Sequence, residues 1–380
     1  MKIILQKESF LNSIKAVKGI VSTRGVQPIL GAILIESVAN DRIKLITTDL
    51  NLSISYTTKA DVEKEGKIAI SAKVIEDIIT KMPDKNITIE LNEETNTIKI
   101  QSEKTKFEVI SLNAEEFPNV LNKKTNENIE EKSFEISTKD LNKAIKQTAF
   151  SAVQNEVGGV LTGICFNIEE NTLEMVATDG NRLTRSRIPI NSRGEAANFI
   201  CSYRTLIEIS KLISLVSDKE VKFTIKGNKI VFEFEDIIFQ SGLIEGTYPK
   251  YQQLIPTNNE KIAIIDREKF IDSIDRVSVM VNNRTNIMKF NFENSSLDIS
   301  TDTPEAGSAK ENLDIEYTSD NLLIAFNYKY LLDCLRNISK ASVKVEMSTN
   351  LSAAVIKPND DADDKEEDNY ICLIMPVQVR

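Results

Sequence analysis

EMVATDGNRL, residues 174–183, is an apolar run that breaks at Thr178-Asp179 and turns through a glycine. Two other stretches end the same way: KLITTD at Asp49 and LDISTD at Asp302, offset from Asp179 by 130 and 123 residues. An amphipathic stretch precedes each one: ESFLNSIKAVKGIV from Glu8, KDLNKAIKQTAFSA from Lys139 and EKFIDSIDRVSVMV from Glu268. Phe10, Ile14 and Val17 match Leu141, Ile145 and Thr148, and then Phe270, Ile274 and Val277. Spacing of i, i+4, i+7 puts one stripe down a helix. After each Thr-Asp comes a second helical pattern: SAKVIEDIITKM, SYRTLIEISKLI and NYKYLLDCLRNI. Each opens on a polar residue suited to capping (Ser71, Ser202, Asn327) and has a base two positions on: Lys73, Arg204, Lys329. Alternating strands close each copy: NITIELNEETNTIKIQS, EVKFTIKGNKIVFEFED, and ASVKVEM onward to YICLIMP. Period-two alternation with polar turns marks antiparallel hairpins with one wet face.

The pattern predicts an α+β fold of three repeats of one kind. Boundaries fall in the polar stretches NKKTNENIEEKS and PTNNEK, giving domains 1–125, 126–256 and 257–380.

Composition narrows the function. The 380 residues are 41% apolar and 27% charged, enough for packed domains. No run approaches the ~18 apolar residues of a membrane helix, and MKIILQKESF turns polar too early for a secretory leader. Cys165, Cys201, Cys334 and Cys372 are widely spaced in apolar stretches, with no zinc spacing, and read as reduced core thiols of a cytoplasmic protein. There is no histidine, which removes Ser-His-Asp and Cys-His pairs, imidazole bases and nearly every catalytic zinc site. The sharpest enzyme alternative takes Asp49, Asp179 and Asp302 as a carboxylate metal cluster, perhaps of a nuclease. The competing reading is that Asp after a strand caps its own turn, and one copy per repeat favours it, because symmetry-related residues lie apart. The sequence therefore implies no catalytic residue, no metal and no cofactor.

Net charge is −10, which argues against a plain basic nucleic-acid binder unless the positive charge is gathered in one place. The six predicted helices (7–21, 71–82, 138–152, 202–217, 266–281, 327–340) carry 16 basic and 10 acidic residues, so the rest of the chain is −16. Lys15, Lys18, Lys73, Lys143, Lys146, Arg204, Lys211, Arg276, Lys329, Arg336 and Lys340 are the main contributors. Helices pack ~8–10 Å apart, so six make half of a closed wall. A head-to-tail dimer has twelve, with a perimeter of roughly 110 Å and a bore of about 25 Å, wide enough for a B-form duplex. Such a ring holds DNA by diffuse attraction to phosphates, reads no base and slides. Between Lys357 and Tyr370 lie seven acids and one lysine, which read as a solvated hairpin loop. A scaffold that binds only proteins is the other non-enzymatic reading.

QPILGAILIE (27–36), TTDLNLSI, EEFPNV, VATDGNRL, LIEGTYPKYQQLIP (243–256) and the terminal IMPVQVR together resemble the β sliding clamp of bacterial DNA polymerase III, in order and end to end. The resemblance implies a three-domain subunit with helices inside and sheets outside, forming a dimeric ring. It implies a non-catalytic processivity factor, placed on DNA by a loader, with no membrane partner. Further implied partners are duplex DNA bound without sequence preference, the replicative polymerase subunit, and other polymerases and repair proteins. These carry short peptides that enter a groove between the second and third domains. By motif that groove comprises Leu161, Thr178, Gly180, Asn181, Arg182, Leu183, Pro249, Leu254, Leu373, Met375 and Pro376. For DNA the resemblance points to Arg24, Lys73, Gln154 and Asn155, and the helix charge adds Lys143, Lys146, Arg204 and Lys329. For the dimer seam it places Lys104, Lys106, Phe107 and Val109 opposite Val279, Met280, Glu305 and Glu311. Asn181, Gly158 and Gln378 depart from the family pattern.

Overall fold

The computed structural model describes residues 1–21, 27–39, 41–121, 131–155, 158–217, 219–282, 284–303, 307–359 and 369–378. Every stripe read from the sequence forms a helix. α1 (Lys7–Val17), α3 (Thr138–Thr148) and α5 (Arg267–Ser278) point Phe10, Ile14 and Val17, their counterparts Leu141, Ile145 and Thr148, and Phe270, Ile274 and Val277 inward, none more than 2% exposed. Burying each large apolar member contributes about 1.5–3 kcal/mol, which outweighs the weak helix propensity of the β-branched positions. The second helices are α2 (Ala72–Lys81), α4 (Tyr203–Ile213) and α6 (Tyr328–Arg336). Asn327 caps α6 by accepting the Lys329 N–H at 3.1 Å. Ser71 stands at the N-cap of α2 but makes no capping bond, contrary to expectation. It also ends the strand Lys67–Ser71, in register with Ala32, and the ladder sets its backbone.

The chain divides into two compact units. The first comprises Met1–Lys139, Asn191–Glu195 and Arg204–Leu243, the second Asp140–Ile190, Ala196–Tyr203 and Ile244–Arg380. The middle repeat is thus shared between them, and the sheets show why. Each unit contains an eight-stranded antiparallel sheet that runs from one repeat into the next. In the first unit, strand Leu52–Lys59 takes Ile237–Gly242 as its neighbour, with Ile54 opposite Phe239. In the second, Arg182–Pro189 takes Tyr370–Ile374, with Leu183 opposite Leu373. The rule is uniform: the fourth strand of one copy pairs with the last strand of the following copy. Two strands are left over by that rule. Thr105–Ile110, the last of the first copy, edges a five-stranded sheet, and Gly307–Asp314, the fourth of the last copy, edges a four-stranded one.

The Thr-Asp breaks are turns held by their own carboxylates in two copies. Asp49 accepts the N–H groups of Asn51 and Leu52 at 3.0 and 2.7 Å, and Asp179 those of Asn181 and Arg182 at 2.9 and 3.1 Å. Asp302 instead lies inside the strand Ser296–Thr303, opposite Ser308. All four cysteines are free and buried, and burial pushes the Cys165 thiol up to about 11. Among the described residues no helix is long and apolar enough to cross a membrane.

Candidate functional site

The second unit carries an apolar surface built on the face of its sheet away from the helices. Strand alternation creates it. Leu183 sits opposite both Thr178 and Leu373, and Leu373 opposite Val355, so these four side chains share one face. Leu183, Val355 and Leu373 join Cys165, Val176, Ile200 and Ile371 in a cluster separate from the core under α5 and α6. Leu183, Val355 and Leu373 are 1%, 1% and 4% exposed, a floor already packed. Leu161 is half-buried at its margin. Close in sequence to members of this cluster are Leu254 and Met375, 56% and 43% exposed, with exposed Pro249 and half-buried Pro376. Exposed apolar side chains beside an apolar floor are what a peptide anchor seeks.

One wall of this cleft is the segment after Gly246, pinned by two tyrosines. The Tyr248 hydroxyl accepts the Thr178 N–H at 3.1 Å, and the Tyr251 hydroxyl donates to the carboxylate of Glu174. Burial pushes both phenols well above the usual tyrosine range; for Tyr251 the adjoining Glu174 adds to it. Glu174 also accepts from Arg187 Nε at 2.6 Å. The opposite rim is the turn at Gly180 (φ +87°), whose N–H donates to Thr178 Oγ1 at 3.1 Å. The chain end is tied to it by Met375 N–H to Asn181 O at 2.9 Å.

Of the sequence-derived groove set, the structure gathers Leu161, Leu183 and Leu373 in one cluster, with Thr178, Gly180, Asn181 and Met375 linked around it. Arg182 is different. Being next to Leu183, it points to the other face, opposite Ile374. There its guanidinium lies 4.3 Å from the Tyr330 ring centroid and bonds Asp179, Asp333 and the Phe150 carbonyl at 3.0, 2.6 and 2.5 Å. It braces the strand that presents Leu183 and does not itself line the cleft. Sequence reasoning missed Tyr248, Tyr251, Val355 and Glu174; the tyrosines stood in the quoted EGTYPKY, and Glu174 looked like an ordinary strand residue.

The recurring bases occupy one position. Lys73, Arg204 and Lys329 are each the second residue of α2, α4 and α6, and each is exposed. A cation there opposes the helix dipole, at a cost of about 0.3–1 kcal/mol, so helix stability does not explain the recurrence. Lys146, Gln154 and Asn155 are exposed and Lys143 half-buried; Arg24 lies outside the described residues. The helical charge is less available than its count suggests, because Lys18, Arg204, Lys211, Arg276 and Arg336 form ion pairs with Glu76, Asp49, Glu208, Glu311 and Asp275. On the edge strand Thr105–Ile110, Lys106 and Phe107 are exposed and Val109 half-buried, with exposed Lys104 in the turn before it; just after α5, Val279 is 80% exposed beside half-buried Met280. Glu311 bonds Arg276 and Ser273, and that guanidinium holds its carboxyl below the usual range. Glu305 and the acidic run 360–368 lie outside the described residues.

Three copies of a helix pair on antiparallel sheet, bases repeated at one helical position and an apolar cluster flanked by exposed apolar side chains define a binding protein of the DNA-clamp class. Models of the DNA polymerase III beta subunit N-terminal, central and C-terminal domains match residues 1–121, 135–250 and 252–377. The chain is 29% identical over 388 residues to the beta sliding clamp of Staphylococcus epidermidis, covering 100% of this chain and 99% of that one. It superposes on the Bartonella birtlesii sliding clamp, DNA polymerase III subunit beta, solved bound to griselimycin, with a TM-score of 0.91 and 30% identity over 100% of both chains. A Bacillus subtilis DNA polymerase sliding clamp gives a TM-score of 0.90 at 26% identity, again over 100% of both. The chain belongs to the DNA polymerase III beta subunit family, the β sliding clamps. Its function is that of a processivity subunit, which catalyses no reaction itself.

Proposed function

We propose that two copies of this chain close head to tail into a ring around duplex DNA in the cytoplasm, sliding without reading sequence. The three repeats then divide near residues 125 and 257. The observation that carries the reading is the strand accounting. Within the chain the fourth strand of each copy takes the last strand of the following copy, which leaves the fourth strand of the last copy, Gly307–Asp314, and the last strand of the first, Thr105–Ile110, at sheet edges. A second protomer supplies the missing partner to each edge. Pairing them hides two strands that would otherwise invite aggregation and repeats one junction all the way round. Phe107, Val109, Val279 and Met280 form the apolar part of that seam, with Lys104 and Lys106 facing Glu305 and Glu311.

Arg24, Lys73, Lys143, Lys146, Gln154, Asn155, Arg204 and Lys329 face the duplex in this reading. Lys73, Lys146 and Lys329 have no ion pair among the described residues, which supports a diffuse, salt-screened contact with phosphates. The cleft over Leu183, Leu373 and Val355 receives apolar anchors of linear peptides from the replicative polymerase, the clamp loader, and other polymerases and repair proteins. Only Thr178, Asn181 and backbone groups at its rim give the peptide direction. Small-angle scattering with mass measurement tests the assembly: the expected result is a dimer with a central hole, and an elongated monomer at micromolar concentration contradicts it.

A further inference from the structure

The first copy repeats the parts of the peptide cleft with one difference of charge. Across its three strands the registers align two rows on one face. The first row is Ala69, Leu34 and Ile46, and the second, two residues along each strand, is Lys67, Glu36 and Lys44. The second copy has Ile200, Cys165 and Val176 in the first row and Asn198, Asn167 and Glu174 in the second. The apolar row is therefore kept, whereas the polar row changes from one acid to two lysines and one acid. Phe117, before Pro118, stands where Tyr248 precedes Pro249, and it joins Leu34, Ile46 and Ala69 in a cluster of their own.

The two sites also differ at the junction with the following copy. In the cleft described above, Leu183 and Leu373 face one another. The same register in the first unit pairs Ser53 with Gln240, whose Nε2 donates to the Val120 carbonyl at 3.2 Å. The deep apolar end is thus polar and covered. What remains open is a cavity of about 320 Å³ running from Ile46 and Phe117 to the row Lys67, Glu36 and Lys44. That volume suits one large side chain and its flanking backbone. The Lys44 side chain has no hydrogen bond or ion pair among the described residues, and Lys67 pairs with Glu115 at 2.7 Å, whose side chain is 74% exposed. An exposed pair of that kind contributes little and exchanges readily for another carboxylate.

We propose that this cavity is a second docking site, for an extended peptide carrying an apolar side chain and, two residues along, an acidic one. The spacing follows from the sheet: residues i and i+2 lie ~7 Å apart both on these strands and on an extended ligand. The apolar side chain rests on Leu34, Ile46 and Phe117, and the carboxylate meets Lys44 and Lys67, the bases on either side of Glu36, whose own charge they outnumber in that row.

Methyl NMR of the full-length protein tests it, with the pentapeptide acetyl-GFGEG-amide as probe and acetyl-GFGQG-amide as control. The Leu34 and Ile46 methyls should shift, with the Glu peptide binding about five-fold more tightly, the size of an exposed ion pair. Combining Lys44→Ala with Lys67→Ala should abolish that preference while leaving the rest of the methyl spectrum in place. The proposal is overturned by unshifted Leu34 and Ile46 at millimolar peptide, by equal affinity for both peptides, or by a preference that survives the double substitution. Because the readout is local to the first copy, binding in the main cleft cannot imitate it.

Discussion

Arg182 Nη1 lies 2.6 Å from Asp333 Oδ2, joining the turn of the second copy to α6 of the third. Its counterpart is Arg204 Nη1 to Asp49 Oδ2 at 2.5 Å, which joins α4 of the second copy to the turn of the first. The donor and acceptor have changed sides, yet a buttress stands at both junctions. Asp333 is 41% exposed, so Asp333→Asn should cost under about 1 kcal/mol. Arg182 is 8% exposed, and its loss leaves Asp179 Oδ2 and the Phe150 carbonyl without the donor it supplies, so Arg182→Ala should cost about 3 kcal/mol. Urea denaturation followed on both variants checks the contrast; equal losses would show that the guanidinium is not the organising group.

The chain end contributes to binding more than to folding. Met375 and Val377 each donate one backbone bond, to Asn181 and Ala325. Truncation before Met375 should lower stability by about 1–3 kcal/mol, the worth of two such bonds, and abolish binding of a polymerase-derived peptide. Calorimetric titration beside thermal melting separates the two effects, and unchanged peptide affinity would mean that the cleft lies elsewhere.

Tyr251 should matter to the cleft without touching a ligand. Tyr251→Phe removes the donor to Glu174 and frees the wall bearing Leu254, at about 1–2 kcal/mol. Peptide affinity should fall several-fold while dimerisation stays constant. A variant with lower stability but native affinity would make the bond purely structural.

The same tyrosines set an alkaline limit. With Tyr248 and Tyr251 raised in the folded state, the unfolded chain ionises first, near pH ~10. The folded state then holds more protons than the unfolded one, so their contribution is complete below that pH and lost as pH rises further. Unfolding free energies measured from pH 8 to 11 should begin to decline near pH 9, where the raised Cys165 thiol ionises first in the unfolded chain, and fall more steeply near pH ~10, and Tyr248→Phe with Tyr251→Phe should flatten that steeper part. An unaltered slope in that variant would refute the assignment.

The edge strands should govern assembly. Ile110 is 78% and Val279 80% exposed in one chain. Replacing either by Asp should remove about 1.5–3 kcal/mol of apolar burial per seam and weaken the dimer by ten-fold or more. Sedentation by analytical ultracentrifugation would register this as monomer at concentrations where the native chain is dimeric.

Much of this was legible in the chain because it was written three times. The helical stripes at Phe10, Leu141 and Phe270 and the turn-capping Asp49 and Asp179 follow from local rules, which act within a few residues. Local rules could not show that Ile237–Gly242 lies beside Leu52–Lys59, because strand pairing across some 180 residues leaves no periodic mark. Arg182 shows a second limit. Its motif placed it with the cleft, but alternation along the strand turned its side chain to the helices. Glu174 shows a third, since its role exists only once Tyr251 is folded over it.

Retention on circular DNA tests the central claim most directly. Protein loaded on a nicked circle at moderate salt should remain bound, then dissociate once the circle is cut into a linear duplex. Equal loss from circular and linear DNA would contradict a closed ring, whatever the affinity.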